Sequence, residues 1–176
     1  MIADDLKYPI GKYNEQPFSE KLKEEWIAEI AVLPQHLELV MQNLDVAQLH
    51  TAYRPGGWTV NQLVHHVADS HMNAFCRFKF ILTENDYTIK AYNQDKWAGL
   101  PDTQNLPVNI SITLLFALHK RWVEILKNIP AESWNRTAFH PVHNKMVSLW
   151  YLLGSYAWHG KHHVAHIQQL RKRMNW

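Results

Sequence analysis

Apolar residues recur three and four positions apart along several long stretches of this chain, and proline, glycine and asparagine interrupt the pattern between them. Ser19 is placed to cap a helix running to about Leu33, and Pro34, favoured in a first helical turn, to start a second segment reaching about Leu44. The stretch Tyr53-Arg54-Pro55-Gly56-Gly57 is turn chemistry. Thr59, followed three positions later by Gln62, has the form of a capping box and opens a helix to about Thr83. A third long helix is predicted from about Ile110 to Ile129, ended by Pro130. An irregular segment follows through Phe139-His140-Pro141, and Ser148 then caps a last helix reaching Met174.

Residues 1–18 read as an extended arm, and residues 85–109 as a long ordered crossover anchored by Tyr92 and Trp97. Connections of that length are often functional. No strand pattern stands out and there is no internal repeat. The expectation is a single all-α domain over residues 1–176, a four-helix bundle with decorated connections.

Composition narrows the function classes. A net charge of +2 gives no reason to expect nucleic acid or an anionic membrane as partner. Arg171-Lys172-Arg173 suits a helix C-terminus, where cations meet the negative end of the macrodipole. Cys76 is the one cysteine, so no intramolecular disulfide forms. No apolar run approaches the ~20 residues of a membrane span, and the start of the chain lacks the apolar core of a signal peptide, so a soluble cytoplasmic protein is expected. Most of the eight tryptophans and seven tyrosines are expected to pack the interior, with Trp58 stapling the Thr59 helix.

Histidine changes the picture. There are twelve, and four of them, His159, His162, His163 and His166, crowd one predicted helix. Neutral imidazole is the commonest metal ligand. Chance alone yields about one pair at spacing four in a chain this rich in histidine, so the two pairs here are weak signals by spacing. Placement is stronger. At about 100° per residue from His159, Leu149, Leu152, Tyr156, Ile167, Leu170 and Met174 fall between roughly 20° and 80°. His163 falls inside that stripe at about 40°, His166 lies just outside, and His162 is further round. His159 and His163 are therefore the inward pair. On the Thr59 helix, His71 sits near the centre of the apolar stripe, while His66 lies at its edge in line with Ser70, Asn73 and Arg77. Burial favours His71, and a polar line beside an apolar stripe favours His66, so both stay open.

Three histidines with a vacant fourth position suit Zn²⁺, and Ni²⁺ also favours imidazole. Cys76 lies about 15 Å along the helix from His66 and is not expected to join them.

Taken together, the residues resemble the DinB/YfiT-like metalloenzyme superfamily, nearest to its YfiT group of metal-dependent hydrolases, which is related to the bacillithiol S-transferases. The matching segments include Tyr8-Pro9-Ile10-Gly11, Tyr53 through Val60, His65 through Asn73, Arg77-Phe78-Lys79, Phe139-His140-Pro141, Trp158-His159 and His162 through Ile167. The resemblance covers nearly the whole chain. It implies metal ligation by His66, His159 and His163, a four-helix bundle, one divalent ion per chain and a homodimer. It thereby sets His66 above His71.

The expected activity is hydrolysis of a small-molecule substrate by water activated at the ion. The H-E-x-x-H arrangement of metalloproteases is excluded, because Gly160 stands where the glutamate would be. Asp69, one turn after His66, is a candidate to orient a ligand from behind. The alternative is a thiol S-transferase, in which the ion activates a low-molecular-weight thiol such as bacillithiol and Arg77 holds its carboxylate. A third reading is a non-catalytic metal-binding or stress-response protein, with His162 or His166 closing the site as a fourth ligand. His140 and His143 are expected in a surface loop.

Overall fold

The computed structural model describes residues 4–176. After a short helix α1 (Asp4–Lys7), the chain runs through α2 (Glu20–Met41), α3 (Val46–Leu49), α4 (Val60–Thr83), α5 (Gln94–Ala98), α6 (Pro101–Asn105), α7 (Val108–Lys127) and α8 (Leu149–Met174). A 3-10 turn (Ala131–Asn135) and a hairpin of β1 (Thr137–His140) and β2 (Lys145–Ser148) lie between α7 and α8. The anticipated caps form. Ser19, Thr59 and Ser148 accept from the backbone N–H groups of Leu22, Gln62 and Tyr151, and Gln62 completes the capping box of α4.

Three expectations change. Residues 1–18 are not extended throughout, because Asp4–Lys7 form the short helix α1. Pro34 does not divide the first helical region, because α2 is continuous through it. The irregular segment before α8 contains an antiparallel hairpin pairing Ala138 with Val147, and Phe139 also bridges to Thr88. Strands of four residues are too short to show an alternation.

The four long helices make the bundle. Helix α2 packs against α7 and α8, and α4 packs against the same two, so α2 and α4 are diagonal. Two hydrophobic clusters fix their directions. One joins the start of α2 (Trp26, Ile30) and of α8 (Leu149, Leu153) to the ends of α4 (Phe78) and α7 (Trp122, Leu126). The other joins the ends of α2 (Leu37) and α8 (Ile167) to the starts of α4 (Leu63) and α7 (Ile112). Thus α2 runs parallel to α8, α4 runs parallel to α7, and the two pairs oppose each other.

Helix α8 reaches α2 closely at Gly160, where a Cβ would lie 2.5 Å from Leu33 Cδ2. The inward histidines of α4, α7 and α8 fall at mid-bundle, between the two clusters. The crossover from α4 to α7 is ordered by α5 and α6 laid on the start of α4: Gln62 Nε2 donates to Ala98 O at 3.0 Å and Asn61 Nδ2 to Thr103 O at 2.8 Å. Within the crossover Tyr92 and Trp97 pack on each other, 4.5 Å between ring centroids.

Loss of the box at the start of α4 should be measurable. Thr59→Ala is expected to cost about 1 kcal/mol, read as a lower urea midpoint at unchanged slope.

Candidate metal centre

Helix α4 brings His66, and α8 brings His159 and His163, to one point. His66 Nε2 lies 3.3 Å from His159 Nε2, which lies 3.1 Å from His163 Nε2. Zn–N distances of about 2.0–2.1 Å in a tetrahedron separate donor nitrogens by about 3.3 Å. Both spacings from His159 match that separation, and all three ligand atoms lie within 4.8 Å of one another, a group able to surround a single small cation. Burial of the rings reinforces the fit. Desolvation lowers the pKa of His66 from its ordinary 6.5 to about 4, against a small opposing pull from Asp95. It also pushes His159 and His163 well below 6.5, helped by the neighbouring imidazoles. At neutral pH all three are uncharged and offer lone pairs, as ligation requires.

His71, fully buried, is not one of the three. Its Nε2 lies 3.2 Å from Nδ1 of His159, behind the ring. His162 and His166 form a separate pair, Nε2 to Nε2 3.0 Å, with Tyr53 packed on the ring of His166. Among the described residues neither joins the convergent trio. Asp69 sits elsewhere, near Asp102. Burial and that second carboxylate raise its pKa to about 6. Arg77 Nη1 donates to Tyr156 Oη at 2.7 Å and does not line the cleft over the trio. His140 and His143 pack against each other at the hairpin tip, with ring centroids 4.3 Å apart and planes tilted by 35°.

All three inward histidines open onto a cleft of about 350 Å³. Trp58 forms one wall, its ring centroid 4.6 Å from that of His66, rather than serving only as a staple. Its Nε1 donates to Asp95 Oδ1 at 3.1 Å and so holds α5 at the mouth. Asp95 is the one carboxylate, and Arg54 the one permanent cation, lining the cleft among the described residues. Sequence reasoning passed over both, because residues in turns and crossovers carry no periodicity to rank them. It also passed over His119, although His119 lies in the apolar run of Leu115, Leu118 and Trp122 and is buried.

Residues 23–167 match the DinB superfamily. The chain belongs to this superfamily. As a DinB protein it is 50% identical over 174 residues to a "Putative metal-dependent hydrolase" of Bacillus cereus strain B4264, spanning 98% of this chain and 99% of that one. A protein of the same description from Bacillus thuringiensis subsp. konkukian strain 97-27 matches with the same identity and coverage. The solved structure of YfiT from Bacillus subtilis, a "probable metal-dependent hydrolase with an unusual four-helix bundle topology", shares 40% of residues at a TM-score of 0.95 over 98% of this chain and 99% of its own. The DinB bundle is thus the fold of this chain.

Burial of so many neutral rings predicts an acid-labile apoprotein. His66, His119 and His162 are lowered to about 4 and His166 to about 3, each mainly by desolvation. Below about pH 6.5 the unfolded chain binds protons that the folded chain refuses, so stability falls with pH between about 6.5 and 4. Urea midpoints of chelator-treated protein should drop steadily across that interval. A flat profile would contradict the buried, neutral assignment.

Proposed function

We propose that the protein is a metal-dependent hydrolase acting on a small substrate, with one divalent ion, Zn²⁺ before Ni²⁺, held by His66, His159 and His163. The observation that carries this reading is the convergence of three neutral Nε2 atoms at the floor of an open cleft. His66, His159 and His163 would hold the ion with three protein donors on the cleft side, the donor count of catalytic rather than structural zinc sites. When bound, such an ion supplies Lewis acidity, polarising a substrate carbonyl and lowering the pKa of water to about 7.

The remaining work falls to side chains. The trio fixes the reacting position and, being uncharged, leaves the ion's positive charge undiminished. Asp95, tethered by Trp58, is the group at the mouth able to accept a proton. Arg54 offers a cationic guanidinium to an anionic part of the substrate. Trp58 and Trp158 flank the space and restrict it to small molecules. Gly160 carries no carboxylate, and a Cβ there would press on Leu33, so proton transfer is assigned to the cleft mouth.

His163→Ala should lose stoichiometric zinc, as measured on the purified, dialysed protein, and unchanged content would refute the ligand set. Asp95→Asn should retain the metal and lower kcat by about 100-fold or more on a panel of small esters and amides. Turnover confined to a low-molecular-weight thiol with an electrophile would instead assign the site to thiol transfer.

A further inference from the structure

Proline at position 34 has no N–H, so the carbonyl of Ile30, one turn earlier in α2, lacks its helical donor. A buried carbonyl without a partner is costly, and a side chain from another helix fills the place. His119 of α7 sets its Nδ1 2.5 Å from Ile30 O. Because a carbonyl only accepts, the proton of His119 is on Nδ1.

The consequence propagates. His119 is 1% exposed, with no carboxylate bonded to it, so its ring is neutral and its Nε2 is bare. Nδ1 of His71 lies 3.1 Å from that bare nitrogen, with the two ring planes only 13° apart, so His71 donates from Nδ1. His71 is 0% exposed and neutral for the same reason, which leaves its own Nε2 bare. That atom faces Nδ1 of His159 at 3.2 Å, and His159 must donate in turn. The last ring in the series is left with an unprotonated Nε2, the atom that meets His66 and His163.

We propose that His71 and His119 are positioning residues for the metal centre, forming a relay that runs from the carbonyl vacated by Pro34 and locks His159 as the Nδ1–H tautomer, its Nε2 bare and aimed at the ion. The inference rests on His159 being a ligand, as argued above. It assigns different supports to the three ligands. Nδ1 of His163 is buried without a hydrogen-bond partner, whereas Nδ1 of His159 is held by a chain of two side chains and a backbone oxygen from three different helices. Partners of this kind behind a ligating histidine fix its orientation and raise its basicity.

Two measurements test the relay. In metal-free protein with ¹⁵N-labelled histidine, long-range ¹H–¹⁵N spectra should show the Nδ1–H tautomer for His119, His71 and His159 alike. A proton on Nε2 of His71 or His119 would overturn the proposal, whatever the protein does with metal. In chelator competition, His119→Phe should weaken zinc binding by about 10- to 100-fold at unchanged stoichiometry. His119→Gln, whose amide can both donate to Ile30 and accept from His71, should stay within a few-fold of wild type. Equal affinity of the folded Phe variant and wild type would refute the relay while leaving the ligand assignment standing. Failure of wild-type protein to bind zinc would refute the ligand assignment, and the spectra would still decide the order of protons.

Discussion

The interior of this bundle is organised around the cost of burying imidazole nitrogens away from water. At mid-height, between two clusters of aliphatic and aromatic side chains, α4, α7 and α8 each turn histidine inward where water is scarce. A neutral ring there needs a donor on one nitrogen and an acceptor or a cation on the other. The His66–His159–His163 arrangement answers with nitrogens that converge, and the His71–His119 arrangement with nitrogens that alternate. The hydrophobic clusters above and below hold both arrangements in place, since packed rings cannot rotate to find other partners.

Fold and site were legible to different depths. The long helices stood out because period and caps agree, as at Thr59 with Gln62 and at Ser148. Pro34 misled because the carbonyl it leaves without a helical donor is met by His119, a residue 85 positions later that no local pattern connects to it. The hairpin at Thr137–Ser148 was hidden by its shortness. Within the site, the helical wheel selected His159 and His163 correctly as inward. It could not choose between His66 and His71, because an angular position reports depth, not which atom faces which neighbour. Both are buried; one faces the cleft and the other stands behind His159. The resemblance pointed to His66, and His66 is the one whose Nε2 lies beside the Nε2 of His159.

The acidic and cationic groups of the cleft were the least visible. Asp95 comes from a crossover helix of five residues and Arg54 from a turn, and their importance is created only by tertiary placement. Asp69, which looked well placed by spacing, shows the opposite error. One helical turn from His66 along the axis is also a rotation around it, and that rotation carries the carboxylate towards Asp102.

Because α4 and α7 point the same way, the chain must travel back along the whole of α4, about 36 Å, before α7 can begin. A bundle of alternating helices would make that link with a few residues at one end. Here the obligatory return crosses the doorway of the cleft and deposits Asp95 on its threshold. Insertions or deletions along this return would remodel the doorway while leaving the imidazole floor intact, so the shape of the entrance is free to change without disturbing the converging rings.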